Sequence, residues 1–138
     1  MSPESPDFVL DSHALLSYVF DEPGAAVVEE SIAAAARGDC RGSISALNVG
    51  EACYIMERRR GREATATLLA ALEGLPLRVV DADSRAILGA AHIKAQYPIS
   101  FADAFVVALA LEEGAAVLTG DPEFRRVQHL VTMRWLTL

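Results

Sequence analysis

Residues 101–118 read FADAFVVALALEEGAAVL. The first eleven residues are apolar except for Asp103, a composition typical of a helix that is buried on nearly every side. We predict a helix that starts at Ser100 and runs to about residue 113, followed by a short buried strand at 116–118. A helix followed directly by a short apolar strand is the repeating unit of an α/β fold.

The same alternation of short apolar strands and helices extends over the rest of the chain. The other predicted strands are 8–10, 43–45, 77–80 and 132–136. The other predicted helices are 13–20, 25–37, 46–60, 62–73 and 84–96. Strands of this kind form a parallel sheet that helices cover on both faces, so the sequence predicts the α/β class.

Length and composition predict a single globular domain over residues 1–138, with residues 1–6 as a flexible tail. The 138 residues are 52% hydrophobic and 22% charged, which excludes a disordered chain. Two cysteines are too few for a disulfide scaffold. The chain contains neither an apolar run of about 18 residues nor a basic N-terminal segment, so we expect a cytoplasmic protein without a membrane partner.

The net charge of −7 argues against a protein that simply coats nucleic acid or an anionic membrane. The basic residues are nevertheless clustered, because four arginines fall within five positions, at Arg58, Arg59, Arg60 and Arg62. Most of them lie at the end of the helix predicted over 46–60, where the helix dipole favours positive charge.

Asp103 is the one charged residue among residues 101–111, the apolar part of this predicted helix. A buried carboxylate is costly unless it is paired or bound to a metal ion. The spacing Ser100-x-x-Asp103 also fits a capping box, in which Asp103 would accept a hydrogen bond from the Ser100 amide. Both interpretations remain open from this segment alone.

Three more acids occupy comparable positions. Asp11 and Asp121 each follow a predicted strand, and capping of the next helical turn would explain either of them locally. Glu51 lies on the apolar side of its helix, where pairing with an arginine such as Arg58 is the alternative interpretation.

Together, these acids predict a metal site. The carboxyl ends of parallel strands meet at one edge of a sheet, and sites form there where the strand order reverses. Four carboxylates at that edge would repel one another and raise each other's pKa unless a cation lay between them. Oxygen ligands select Mg²⁺ or Mn²⁺, and such an ion activates water and stabilises charge on a phosphodiester. Hydrolysis of phosphodiesters is therefore the predicted chemistry.

Four segments, 9–16, 45–52, 99–108 and 117–124, resemble the signature blocks of PIN-domain nucleases, with VapC-type toxins of bacterial toxin–antitoxin pairs as the closest likeness. The resemblance extends from about residue 7 to 136. It implies Mg²⁺-dependent cleavage of RNA by the catalytic acids Asp11, Glu51, Asp103 and Asp121. It also implies that Asp11, Asp103 and Asp121 hold the metal.

The resemblance has further implications. Ser12 and Thr119 match small hydroxyl positions that support the acids by hydrogen bonds, whereas His13 matches no required position and is interpreted as structural. The implied fold is a three-layer α/β/α arrangement with a five-stranded parallel sheet in the order 3-2-1-4-5. The implied partners are RNA, a second copy in a homodimer, and a small antitoxin whose C-terminal segment occupies the acidic groove. Arg58–Arg62 is the candidate surface for the RNA backbone.

Other functions remain as alternatives. A housekeeping RNA-processing PIN nuclease would have the same site, and a non-catalytic PIN-like scaffold would not need all four acids. A receiver-like phospho-acceptor signalling domain needs an acidic pair after its first strand, but Ser12 and His13 follow Asp11 here. An aspartyl phosphatase would have Asp-x-Asp at the same place, and position 13 is histidine.

Overall fold

A computed structural model describes residues 5–137 and contains a five-stranded parallel sheet in the order β3-β2-β1-β4-β5. The strands are β1 (Phe8–Leu10), β2 (Gly42–Ser45), β3 (Leu77–Val80), β4 (Ala116–Thr119) and β5 (Met133–Trp135). The predicted α/β class and the order 3-2-1-4-5 are both confirmed.

Six α-helices connect these strands in the described part of the chain. They are α1 (Ser12–Val19), α2 (Ala25–Ala36), α3 (Ala46–Arg60), α4 (Arg62–Glu73), α5 (Ser84–Gln96) and α6 (Phe101–Glu113). Each predicted strand and helix ends within one residue of its observed boundary. A 3₁₀ helix at Pro122–Val127 is the helical turn that the capping interpretation of Asp121 requires, although its length was not predicted. Of the tail predicted at 1–6, residues 1–4 lie outside the described residues. None of the helices within residues 5–137 has the length and apolar character needed to cross a membrane.

The sheet separates two hydrophobic clusters, which gives the three layers. Phe8 and Leu10 of β1 pack with α1, α2, α3 and α4 on one face, whereas Val9 packs with α5 and α6 on the other. This alternation follows from the two-residue period of a strand. Because β1 is buried on both faces, its three residues are all apolar, and the chain can place a polar side chain only beyond the strand's end.

Strand register brings the ends of β1 and β4 together. Leu10 pairs with Leu118, so the next residues, Asp11 and Thr119, emerge side by side at the carboxyl edge. β2 lies on the opposite side of β1, and its last residue, Ser45, caps α3. The connection after β1 leads to β2 on one side of the sheet, whereas the connection after β4 leads to β5 on the other side. This edge is therefore the point where the strand order reverses, and it is the expected position of a site in an open α/β sheet.

Candidate functional site

A groove of about 390 Å³ runs along this carboxyl edge. All four predicted catalytic acids line it, together with Ser12 and two further acids. Its full lining is Asp11, Ser12, His13, Leu16, Glu22, Glu51, Ile55, Arg59, Ser100, Asp103, Gly120, Asp121, Pro122 and Glu123. Residues far apart in the sequence therefore meet in one strongly acidic depression.

Asp11 caps α1 and also reaches the groove. One carboxylate oxygen, Oδ1, accepts a hydrogen bond from the Ala14 amide at 2.7 Å, and Oδ2 accepts one from the Thr119 hydroxyl. The residue is only 3% exposed. Burial raises the pKa of Asp11 to about 7, although both hydrogen bonds favour the charged form, and the neighbouring charges of Asp121 and Glu51 raise it further. Asp11 therefore caps α1 and lines the groove at the same time.

Thr119 joins two of the acidic segments. Its hydroxyl donates to Asp11 and accepts from the Asp121 amide at 3.0 Å, and the side chain is completely buried at the end of β4. A single hydroxyl therefore fixes the backbone that carries Asp121 relative to the carboxylate of Asp11.

Glu51 projects from α3 and is held by Ser12. The Ser12 hydroxyl donates to Glu51 Oε1 at 2.5 Å. The alternative of pairing with Arg58 is wrong, since no ion pair among the described residues joins the two side chains. Arg58 instead lies over the Tyr54 ring, 5.1 Å from its centroid. The Glu51 carboxylate is thus oriented by a neutral hydroxyl and has no ion-pair partner among the described residues.

Asp103 lies in the first turn of α6 and is 8% exposed. Its amide donates to the Ser100 hydroxyl at 3.1 Å, which is one half of the capping box. The return hydrogen bond from the Ser100 amide to the carboxylate is absent within residues 5–137. Burial raises the pKa of Asp103 to about 7; the charge of Asp121 adds to this effect, and the Ser100 side chain opposes it. The carboxylate is therefore left facing the groove.

Asp121 and Glu123 complete the cluster at the start of the 3₁₀ helix. Asp121 caps this helix by accepting a hydrogen bond from the Glu123 amide at 2.9 Å. Carboxylate oxygens of Asp103, Asp121 and Glu123 all lie within 4.8 Å of one another. Glu123 was not predicted; the signal for it is its place two residues after Asp121, in the first turn of the 3₁₀ helix. Asp11, predicted as a metal ligand together with Asp103 and Asp121, lies outside this close trio, and both of its oxygens accept hydrogen bonds from Ala14 and Thr119.

His13 also borders the groove. Its side chain is exposed, and its ring packs on Gly120, where an added Cβ would lie 2.8 Å from ring atoms Cδ2 and Nε2. The interpretation of His13 as structural therefore accounts for its packing on Gly120 but not for its position in the groove lining.

The chemistry of this donor set fits a hard divalent cation. Its ligands are carboxylate oxygens, which Mg²⁺ and Mn²⁺ prefer. Asp11 and Asp103 are buried and have raised pKa values, so their charged forms lack compensation from the protein. A cation in the trio Asp103, Asp121 and Glu123 would supply that compensation.

Comparisons with known proteins agree with this geometry. Residues 8–130 match the family model of the PIN domain. A search of curated protein sequences finds no match. Similar solved structures include DNA-bound VapBC from Salmonella typhimurium, with 20% identity, a TM-score of 0.73 and coverage of 96% of this chain and 99% of that chain.

Two further structures share this fold. VapBC2 from Rickettsia felis, bound to a DNA fragment from its promoter, has 14% identity and a TM-score of 0.72, and the match covers 93% of this chain and 97% of that chain. The Mycobacterium tuberculosis VapC20, a toxin that cleaves the sarcin–ricin loop, has 16% identity and a TM-score of 0.65, with coverage of 80% and 86%. At these identities the likeness is one of fold.

Proposed function

The chain belongs to the PIN domain family, and from this membership and the acidic groove we propose that it is a Mg²⁺-dependent endoribonuclease and the toxin of a toxin–antitoxin pair. In this proposal, residues 1–138 form one domain, and Asp11, Glu51, Asp103 and Asp121 are the catalytic acids. The observation that carries it is the meeting of these four carboxylates, contributed by distant segments, at the point where the strand order reverses.

Asp103, Asp121 and Glu123 would hold the metal ion, with Asp11 beside them. When bound, Mg²⁺ or Mn²⁺ favours ionisation of a bound water and neutralises charge that develops on the phosphate. The high pKa values of Asp11 and Asp103 support this assignment, because carboxyl groups with a pKa of about 7 are only partly ionised at neutral pH, and a positive charge beside them would favour their charged forms.

The protein's own contribution is to orient water and substrate. Glu51, fixed by the Ser12 hydroxyl, can accept a hydrogen bond from the attacking water. Thr119 keeps Asp11 and the Asp121 segment in register, so that their carboxylates stay on one side of the groove. Ser12 and Thr119 are therefore proposed as supporting residues, which act through the acids that they hold.

The toxin role is supported by fold likeness to VapBC and VapC structures, of which VapC20 is a toxin that cleaves the sarcin–ricin loop. We therefore propose that this chain acts on RNA, binds a cognate antitoxin and works in the cytoplasm. Exposed apolar side chains on α5 and α6, including Leu88 at 70% exposure, support a homodimer.

Purified protein should cleave single-stranded RNA in Mg²⁺ or Mn²⁺ and lose this activity in EDTA, because the carboxylates alone can only repel a phosphodiester. The test is gel analysis of labelled RNA incubated in each buffer, with activity restored when Mg²⁺ is added in excess over EDTA. Cleavage that continues at full rate in EDTA would contradict the metal-dependent mechanism.

The proposed antitoxin should place an arginine or lysine in the groove, since a basic side chain would pair with the uncompensated carboxylates. The partner encoded beside the toxin would be co-expressed and purified with it, and each basic residue of its C-terminal segment changed to alanine. One of these changes should restore RNA cleavage in the complex. Full inhibition by every such variant would count against this mode of neutralisation.

A further inference from the structure

The side of α3 that faces the groove continues beyond Glu51. Glu51, Ile55 and Arg59 follow one another at four-residue spacing, and all three line the groove. At a rise of 1.5 Å per residue, the backbone of Arg59 lies about 12 Å along the helix from that of Glu51. Arg59 thus lines the groove about two helical turns from Glu51.

The arginines at the end of α3 are not equivalent. Arg58 lies over the Tyr54 ring and Arg60 over the Phe20 ring, each 5.1 Å from the ring centroid. Arg59 is exposed, and no ion pair or side-chain hydrogen bond involves it within residues 5–137. The helix dipole favours a positive charge at all three positions, so it does not account for this difference in orientation.

The acidic lining of the groove indicates a role for Arg59 in binding an anionic ligand. Six carboxylates line the groove, and among its described lining residues Arg59 is the one arginine or lysine. A polyanion such as RNA needs positive charge along its path, and a metal ion held by Asp103, Asp121 and Glu123 would supply it only at that trio. An arginine can bind phosphate oxygens through two parallel hydrogen bonds.

We propose that Arg59 binds a backbone phosphate of the RNA substrate other than the one that is cleaved, and so sets the path of the strand through the groove. This inference rests on the proposed nuclease function. It assigns a substrate contact to one member of the cluster Arg58–Arg62 and none to the two that lie over aromatic rings.

Binding of RNA tests the inference directly. In the Asp103→Asn background, which should not cleave, a fluorescein-labelled 12-nucleotide single-stranded RNA of mixed sequence is titrated in Mg²⁺ at several KCl concentrations. Arg59→Ala should weaken binding about tenfold, because a charge-assisted hydrogen bond is lost. The slope of log affinity against log salt should become shallower by about 0.7, since one phosphate contact disappears. Arg59→Lys should keep the slope and part of the affinity.

Arg58→Ala and Arg60→Ala are the matched controls, because they remove the same charge from the same helical turn. Both should leave affinity and salt slope close to those of the parent. In the cleaving chain, the loss caused by Arg59→Ala should appear in KM. If Arg59→Ala changes affinity and slope no more than Arg60→Ala does, the inference is wrong.

The two proposals can fail separately. A protein that binds RNA in an Arg59-dependent manner but cleaves none in Mg²⁺ would overturn the nuclease function and keep the phosphate contact. A protein that cleaves RNA, and whose KM is the same after Arg59→Ala and Arg60→Ala, would overturn the contact and keep the nuclease. Absence of any RNA binding would overturn both.

Discussion

Asp103→Asn should reduce kcat for RNA cleavage in Mg²⁺ by at least about 100-fold, and Asp11→Asn, Glu51→Gln and Asp121→Asn should have effects of similar size. Each change removes a negative charge from the groove while keeping the shape of the side chain. Loss of residues that merely orient metal ligands costs 10- to 100-fold, so loss of a ligand itself should cost more. The measurement is steady-state cleavage of a labelled RNA at saturating Mg²⁺.

Asp83→Asn is the matched control for these variants. Asp83 also caps a helix, accepting a hydrogen bond from the Ala86 amide at 2.9 Å, but it does not line the groove. Asparagine caps helices about as well as aspartate, so the cleavage rate of Asp83→Asn should equal that of the parent protein. A wild-type rate in Asp103→Asn would contradict the proposed catalytic role of that acid.

The second large effect concerns stability. Without divalent cations at pH 8, Asp103→Asn should unfold at a temperature no lower than the parent, and several degrees higher if the full charge penalty is relieved. One kcal/mol shifts the unfolding temperature of a chain of this size by about 4 °C. With Mg²⁺ the order should reverse, because an ion that binds only the folded state stabilises it by roughly 2.7 kcal/mol at a hundredfold excess over its Kd.

The pH dependence of the free energy of unfolding follows from the direction of the pKa changes. Folding raises the pKa of Asp11 and Asp103 from 3.8 to about 7, so the folded state binds protons more tightly than the unfolded chain does. The free energy of unfolding in EDTA should therefore fall as pH rises from about 4 to about 7, and change little above that range. At pH 5 both groups are protonated in the folded parent. The difference between the parent and Asp103→Asn should then shrink.

Thermal melts in EDTA and in Mg²⁺, at pH 5 and pH 8, measure these effects. If Asp103 acts only as a cap, Asp103→Asn should lose about 1 kcal/mol or less in both buffers and at both pH values. Equal destabilisation in EDTA and Mg²⁺ would therefore exclude the metal site. Asp83→Asn again serves as the control, since it keeps the metal site and the difference between its melting temperature and the parent's should be the same in EDTA and in Mg²⁺.

Local sequence determined the secondary structure and the positions of the acids. Short apolar runs such as Phe8–Leu10 can form only buried strands, and the apolar helix at Phe101–Glu113 makes Asp103 conspicuous without any structure. Capping side chains at Asp11 and Ser100 mark the starts of α1 and α6 within the chain itself, so these two boundaries could be predicted. The 3₁₀ helix was expected only as a turn capped by Asp121, because so short an element has no hydrophobic period from which its length could be predicted.

Only the tertiary structure decided which of these residues meet and what their environment does to them. Mutual repulsion among the acids was the expected cause of raised pKa values, but burial is the larger cause at Asp11 and Asp103, and burial depends on how α6 and the loops pack over the strand ends. The trio with Glu123 and the groove position of Arg59 likewise depend on how side chains are directed. Sequence spacing places a residue on one side of a helix, but aromatic partners such as Tyr54 and Phe20 determine which arginines are left to face the groove.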